Sequence, residues 1–153
     1  MTLGQFQELV CDKSSPASEA EIAAFEMEIG IRLPEDYRKF LILCHGGTLS
    51  EDCSFIEDSD SFSLAPPESI YDLRSIREYR ASYRANDSRM PTDVLPIIGD
   101  GLGNEFCIGI SSNNRGKIYF FDHEGGLDPT EYFCQLSDSF TEFIANLRLD
   151  EGS

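Results

Sequence analysis

Apolar side chains recur every three or four positions between residues 18 and 47, and this spacing predicts two helices separated by a corner. The apolar face of the first helix consists of Ile22, Phe25 and Ile29. Ser18 and Glu21 have the spacing of a capping box, in which each side chain satisfies a backbone N–H, so this helix should begin at Ser18. Gly30 adopts left-handed backbone at little cost and should end it.

Pro34 is predicted to lie in the first turn of a second helix, where a backbone N–H would have no partner within the helix and its absence costs nothing. Glu35 and Asp36 then place negative charge at the positive end of the helix dipole. The apolar stripe of this helix consists of Tyr37, Phe40, Leu41 and Cys44. Gly46 and Gly47 follow and are expected to stop the helix.

The same periodicity predicts three more helices. A short one lies near Leu3 to Cys11. A longer one runs from about Ser69 to Arg84, and its predicted inner face consists of Leu73, Ile76, Tyr79 and Tyr83. The last begins at the capping-box pair Ser139 and Glu142. Its apolar stripe consists of Phe140, Phe143, Ile144 and Leu147.

Alternating apolar residues and turn-forming residues predict antiparallel strands elsewhere. Short strands are expected within residues 54–64, followed by a strand at Val94–Ile98 and, after a glycine-rich turn, one at Phe106–Ile110. Lys117–Phe121 is apolar on both faces, which indicates a central strand covered by helices. Helices followed by hairpins and a closing helix favour an α+β layer architecture over alternating parallel units.

Four motifs occur in order near the N-terminus, namely Ile-x-x-Phe-Glu, Gly-x-x-Leu-Pro-x-Asp-Tyr, Phe-Leu and Gly-Gly. This order resembles the opening of the SUKH superfamily, specifically its Smi/Knr cell-wall-regulator type. The segments VLPIIGDGLGNEFCIGI and KIYFFDHE are similar to the strand pair that follows in that family. The resemblance implies a single SUKH-like domain over residues 1–153, with a mainly antiparallel sheet flanked by helices. Many bacterial members are immunity proteins that block a toxin, often a nuclease, and fungal relatives are regulatory interaction scaffolds.

Charge narrows the kind of partner to expect. The chain carries a formal net charge of −16, and five arginines between residues 74 and 89 stand against two carboxylates there. An acidic surface repels phosphate backbones, so we expect a basic protein partner and no direct binding of nucleic acid. No stretch is long and apolar enough for a bilayer, and the N-terminus lacks a signal-peptide pattern, which together predict a cytoplasmic protein. The arginines of this segment are expected to pair with nearby carboxylates, the alternative being a phosphate or peptide contact.

Candidate chemistry is sparse. The five cysteines contain no C-x-x-C pair, and Cys44 and Cys107 lie in apolar patterns typical of buried free thiols. The glycine turn lacks the third glycine and following helix of a phosphate loop, and the two histidines lack ligand partners at metal spacing. We therefore predict no cofactor, no metal site and no catalytic residues. The sequence leaves open a Cys-His pair formed by Cys44, Cys53 or Cys134 with His45 or His123.

Binding is therefore the predicted class of function, with acidic side chains of turns and sheet edges as its site. The predicted partner-binding residues are Glu57, Asp58, Asp60, Asp100, Asn104, Glu105, Asp122 and Glu124. The candidate aromatic anchors are Phe55, Phe62, Tyr119 and Tyr132. We expect a non-enzymatic, immunity-type protein that neutralises a cognate polymorphic or contact-dependent toxin, such as a nuclease. The alternatives are a regulatory scaffold and a small-ligand binder that uses the glycine turn; the oligomeric state is left open.

Overall fold

The computed structural model describes residues 1–49, 53–55 and 64–149. Six helices occur in this part of the chain: α1 Leu3–Leu9, α2 Glu19–Ile29, α3 Glu35–Leu43, α4 Leu73–Asn86, α5 Pro129–Tyr132 and α6 Phe140–Ala145. The strands described there are β1 Val10–Cys11, β2 Gly47–Leu49, β3 Cys53–Phe55, β4 Ser69–Ile70, β5 Val94–Gly99, β6 Glu105–Gly109, β7 Ile118–Phe121, β8 Phe133–Ser137 and β9 Leu147–Leu149. The predicted α+β class is confirmed.

The predicted start and end of α2 are confirmed. The Ser18 hydroxyl accepts a hydrogen bond from the backbone N–H of Glu21 at 3.1 Å, and the Glu21 carboxylate accepts one from the N–H of Ser18 at 3.3 Å. Gly30 ends the helix with a φ of 79°, the left-handed conformation that a side chain would strain. Local chemistry is therefore sufficient to set both ends of this helix.

α3 differs at both ends from its prediction. Pro34 is the N-cap and not the first helical residue, and Cys44 in extended backbone is the C-cap. Gly46 and Gly47 both have positive φ, but they come after the helix has ended, and Gly47 already begins β2. The glycines serve the turn into the sheet, because a Cβ at Gly47 would collide with the backbone of Cys11 on β1.

The prediction that α4 begins at Ser69 is wrong. Ser69 and Ile70 form β4 between β2 and β5, so sheet pairing overrides their local preference. The helix begins at Leu73, four residues after Ser69, and its N-cap is Asp72, whose carboxylate accepts a hydrogen bond from the N–H of Ser75 at 2.7 Å. Leu73 and Ile76 are buried as predicted, whereas Tyr79 is 42% exposed.

The C-terminal part contains elements that the apolar pattern does not reveal. α5 and β8 lie where the polarity of the segment gives no clear period. Ser139 caps α6 as predicted, but the helix ends at Ala145, and Leu147 belongs to β9, which pairs with β3. At the N-terminus, α1 similarly ends before Val10, which pairs with Leu49 of β2.

The main sheet is antiparallel with the strand order β1-β2-β4-β5-β6-β7-β8. β7 lies between β6 and β8, which confirms its predicted interior position. The register aligns one residue from each of five strands in a single row across the sheet, namely Ser69, Gly99, Glu105, Phe121 and Phe133. The connections next to these residues therefore emerge at the same end of the sheet.

Alternation along β6 divides the apolar core into two. Phe106 and Ile108 belong to the larger cluster, which includes Phe40 of α3 and Phe140 of α6. Cys107 belongs to a smaller cluster with Met90, Val94 and Phe121, against which Tyr83 of α4 packs. Because side chains alternate between faces along a strand, Glu105 shares the face of Cys107 and lies toward α4.

A buried ion pair joins α2 to α3. Arg38 donates from Nη2 to Glu26 Oε1 at 3.1 Å, and the two side chains are 9% and 11% exposed. The other Glu26 oxygen accepts a hydrogen bond from the backbone N–H of Leu33 at 2.6 Å. The Glu26 carboxylate thus pairs with the arginine and also accepts the hydrogen bond of a backbone N–H in the corner between the helices.

Candidate functional site: the acidic end of the sheet

Two connections at one end of the sheet carry most of the predicted site. The first is the glycine turn, residues 100–104, which joins β5 to β6. The second is the connection over residues 122–132, which leads from β7 through α5 into β8. Gly99 pairs with Glu105 and Glu105 with Phe121, so the two connections begin side by side.

Asp100 organises the glycine turn from inside. Its Oδ1 accepts hydrogen bonds from the backbone N–H groups of Leu102 at 2.8 Å and Asn104 at 3.0 Å, and its Oδ2 accepts one from Asn104 Nδ2 at 2.9 Å. The side chain is buried. These bonds add to the backbone hydrogen bond from the Asp100 N–H to the Asn104 carbonyl in a turn that contains two glycines at positive φ, Gly101 and Gly103.

Asn104 connects the two segments. Its Oδ1 lies 3.1 Å from the backbone nitrogen of His123 and 2.7 Å from His123 Nδ1. The His123 ring in turn packs against Gly103, where a Cβ would come within 2.8 Å of the ring. Glycine at this position therefore allows the close approach of the histidine to the turn.

Arg89 fixes the second connection. Its guanidinium donates to the carbonyl oxygens of His123 at 2.8 Å and Gly125 at 2.6 Å, and it also binds the Asp87 carboxylate at 2.8 Å. The Arg89 Cζ lies 5.6 Å from the ring centroids of both Phe121 and Tyr132. Charge-assisted hydrogen bonds and stacking thus hold the loop backbone in one position.

Acidic side chains and two leucines cover this end of the molecule. We define the acidic end as Glu68, Asp122, Glu124, Asp128 and Glu131, together with Leu102 and Leu127. Four of the five carboxylate residues are exposed and Asp122 is half-buried. Leu102 is 66% exposed and Leu127 88% exposed. Hydrogen bonds from Thr130 lower the pKa of the Asp128 carboxyl, which keeps it ionised.

Glu105 is the most unusual carboxyl group of the site. It is 3% exposed, and its two oxygens accept hydrogen bonds from the hydroxyls of Tyr71 at 2.8 Å and Tyr83 at 3.0 Å. Burial raises its pKa to about 7; Asp100 adds to this rise, and the two tyrosines oppose it. Burial and the nearby Glu105 raise the pKa of both tyrosines, which therefore remain neutral donors.

A cavity of about 290 Å³ lies beside Glu105, between the glycine turn and α4. Its lining combines a carboxyl group, phenol rings and bare backbone: Ser69, Tyr71, Tyr79, Tyr83, Gly99, Gly101, Gly103, Asn104 and Glu105. Tyr71 and Tyr79 stack with ring centroids 4.5 Å apart. Gly99 has no side chain to block the Tyr71 hydroxyl, which would otherwise be displaced from Glu105.

The structure brings together five of the eight predicted site residues at this end: Asp100, Asn104, Glu105, Asp122 and Glu124. They differ in accessibility, since Glu124 is exposed whereas Asp100 and Glu105 are buried and serve internal hydrogen bonds. Glu57, Asp58 and Asp60 lie outside the described residues, as do the side chains of Phe55 and Phe62. The other two predicted anchors, Tyr119 and Tyr132, are half-buried.

Sequence reasoning missed the two leucines and three of the acidic positions, Glu68, Asp128 and Glu131. A signal was present, because Leu102 and Leu127 are single apolar residues within runs of glycine and acidic residues. Such a leucine has no partner at helical or strand spacing, so its side chain is expected at the surface. The apolar spacing predicts an inner helix face for Tyr79 and Tyr83, whereas their position at a cavity depends on how the helix packs on the sheet.

Other candidate chemistry finds structural roles. The backbone N–H of Leu73 donates to His45 Nε2 at 2.9 Å, and His45 Nδ1 lies 2.8 Å from the carbonyl oxygen of Ser15, so both ring nitrogens bind backbone. Within residues 1–49 and 64–149, no three side chains of His, Cys, Asp or Glu are grouped to hold a metal ion. Cys44 and Cys107 are buried free thiols as predicted.

The arginines of residues 74–89 form the expected ion pairs at three positions. Arg74 binds Glu78, Arg77 binds Glu28 and Arg89 binds Asp87, at 3.1, 2.8 and 2.8 Å. The first two pairs are largely exposed, so each contributes little to stability. No helix within the described ranges is long and apolar enough to cross a bilayer.

Comparison with known proteins shows the family to which this chain belongs. The model of the SMI1/KNR4 family (SUKH-1) matches residues 16–146, so the chain belongs to this family. The chain is also 29% identical, over 146 residues, to the SPbeta prophage-derived uncharacterized protein YokK of Bacillus subtilis (strain 168). That alignment covers 83% of this chain and 72% of the relative. The resemblance inferred from the N-terminal motifs is thereby confirmed.

Proposed function

We propose that this chain is a non-enzymatic, immunity-type protein that binds and neutralises a basic toxin domain through the acidic end of its sheet. The observation that carries the proposal is the acidic end itself, where exposed carboxylates and two exposed leucines share one end of the sheet on a backbone held by hydrogen bonds. Membership of the SMI1/KNR4 family is consistent with partner binding. The cytoplasm, where a toxin would reach its target, is the compartment that the proposal requires.

Charge supports a cationic partner. The chain has a net charge of −16, and Arg89, which lies against the second connection, is paired with the Asp87 carboxylate. Clustered carboxylates accelerate the encounter with a basic surface and repel acidic ones. A nuclease offers such a surface, because its substrate-binding cleft must attract phosphate groups. An acidic protein that covers the cleft would exclude the nucleic acid.

Apolar contacts and rigidity support tight binding. Exposed charges alone contribute little affinity, since water and salt screen them. Leu102 and Leu127 add exposed apolar area to the acidic end, and such area drives most association. The bonds of Asp100, Asn104 and Arg89 fix the two loops before binding, so little conformational entropy remains to be lost.

The test is titration calorimetry with the C-terminal domain encoded by the neighbouring upstream reading frame, using the wild type and two charge-reversed variants. Glu124→Lys with Glu131→Lys changes the acidic end. The matched control, Asp93→Lys with Glu35→Lys, makes the same change of charge at the opposite end, where Pro34 lies against Gly116 of the β6–β7 turn. We expect the first variant to weaken binding by at least about tenfold, or about 1.4 kcal/mol, and the control to have little effect.

Equal losses in the two double variants would show that net charge alone matters and would refute the assignment of the acidic end. Protection of cells that express the toxin domain provides a second readout. Wild-type protein should restore growth, and the Glu124→Lys, Glu131→Lys variant should fail at matched expression. Absence of both binding and protection would refute the immunity function and favour the regulatory scaffold.

A further inference from the structure

The cavity beside Glu105 opens at the acidic end. Gly101 and Gly103 at its rim are exposed, and Tyr79 on the opposite wall is 42% exposed. Glu105 is 3% exposed, and the hydroxyls of Tyr71 and Tyr83 orient its two oxygens. A group that enters from solvent between Tyr79 and the glycine turn would therefore approach a carboxyl group among aromatic rings.

Glu105 lacks a basic partner in the described part of the chain. Its hydrogen-bond partners are two phenols, and no lysine or arginine of residues 1–49 and 64–149 forms an ion pair with it. A buried carboxylate without a cation is costly, and natural proteins usually pair such groups. Each carboxylate oxygen can accept two hydrogen bonds, so one tyrosine on each oxygen leaves further acceptor capacity.

We propose that this cavity binds an organic monocation, a guanidinium or alkylammonium group, and that the toxin domain supplies it as an arginine or lysine side chain. The second part rests on the proposed function; the first does not. The cation would donate hydrogen bonds to Glu105 and lie among the rings of Tyr71, Tyr79 and Tyr83. The site would thus bind the partner's basic surface at one defined residue.

The size and lining of the cavity fit such a group. Its volume of about 290 Å³ lies at the lower end of the range for small-molecule sites, roughly 300–1,000 Å³, and suits a side-chain head group. Aromatic rings attract cations through their negative faces, and the attraction grows when the cation is desolvated. Gly99, Gly101 and Gly103 border the cavity with backbone, and the absence of a Cβ lets Tyr71, Glu68 and the His123 ring lie directly against that backbone.

The test uses small probes and the full-length protein without the toxin. Ethylguanidinium is titrated against the 15N-labelled protein, and the amide signals of Gly101, Gly103 and Asn104 report binding. Ethylurea, which is neutral and similar in shape, is the matched control for charge. The tripeptide acetyl-Gly-Arg-Gly-amide tests whether a side chain attached to a backbone can enter. We expect saturable shifts with ethylguanidinium and with the peptide, and none with ethylurea.

Two variants locate the site. Glu105→Gln keeps the size of the side chain and removes its charge, so binding of both cationic probes should weaken by at least about tenfold. Tyr79→Leu removes an exposed ring that itself makes no hydrogen bond to Glu105, and binding should weaken several-fold. Thermal unfolding of each variant confirms that it is folded. Unchanged affinity in folded Glu105→Gln would overturn the proposal.

The remaining outcomes separate the two parts of the proposal. Lack of saturable shifts with ethylguanidinium would overturn the cation site. Binding of ethylguanidinium without binding of the tripeptide would assign the cavity to a free small cation and overturn the role of the partner's side chain. Because no toxin is present, failure of these titrations is distinct from failure of the proposed function, which the toxin titration tests.

Discussion

Replacement of Glu105 by glutamine should remove one specific pH dependence of folding stability. The wild-type carboxyl has a pKa of about 7 in the folded protein, mainly because burial disfavours its charge, against an ordinary value of 4.5. Between these two pH values the Glu105 carboxyl is protonated in the folded protein and ionised in the unfolded chain. The free energy of unfolding should therefore fall as the pH rises through this window and level off above about pH 7.

The magnitude follows from the difference between the two pKa values. About 2.5 pH units at about 1.4 kcal/mol per unit correspond to a total loss of about 3.5 kcal/mol, of which about 2.5 kcal/mol falls between pH 5 and pH 8. The groups that face Glu105 are Tyr71, Tyr83, Asp100 and Cys107. Burial raises the pKa of the tyrosines and of Cys107, so these three remain neutral throughout the window.

Urea unfolding at about pH 5 and about pH 8 measures the effect. The stability of wild type should fall by about 2–3 kcal/mol more than that of Glu105→Gln between these pH values, because all other titrating groups are shared. Glu124→Gln removes an exposed carboxylate from the same end of the sheet and should follow the wild-type profile. Parallel profiles for wild type and Glu105→Gln would refute the reasoning, since Glu105 would then titrate alike in the folded and unfolded chains.

Three further substitutions test the structural contacts by the same unfolding assay. Arg38→Met leaves Glu26 buried without its cation and should cost about 3 kcal/mol; a loss below about 1 kcal/mol would show that water solvates the carboxylate. Ser18→Ala removes the α2 cap and should cost about 1 kcal/mol, whereas Ser18→Asp should retain most of the stability. Asp100→Ala removes three hydrogen bonds of the glycine turn and should cost about 1–3 kcal/mol, with amide shifts in the turn; an unchanged spectrum there would contradict its organising role.

The parts of the fold that local chemistry dictates were predictable. Ser18 and Gly30 set the ends of α2, and the alternation around the glycine turn revealed the β5–β6 hairpin. Prediction failed where long-range pairing decided the structure. Ser69 and Ile70 read as the start of a helix, yet their partners on β2 and β5 make them a strand. No local pattern records those partners, because they are distant in the chain.

The candidate site likewise has features that local sequence predicts and features that depend on long-range packing. The acidic and glycine-rich connections were visible in the sequence as turns, and the register of β5, β6 and β7 brings them to one end of the sheet. The sequence did not show that Glu105 lies inward while Glu124 is exposed. That difference depends on the packing of α4, which buries Glu105 behind Tyr83. The cavity between the glycine turn and α4 forms only when the chain folds.

The most direct test of the central claim is calorimetric titration of this protein with the C-terminal domain encoded by the neighbouring upstream reading frame, at low and at high salt. The proposal predicts tight binding that weakens as salt screens the carboxylates of the acidic end, and a smaller salt effect for Glu124→Lys with Glu131→Lys. Tight binding that neither salt nor these substitutions alter would contradict the acidic interface. Absence of binding at both salt concentrations would contradict the immunity function itself.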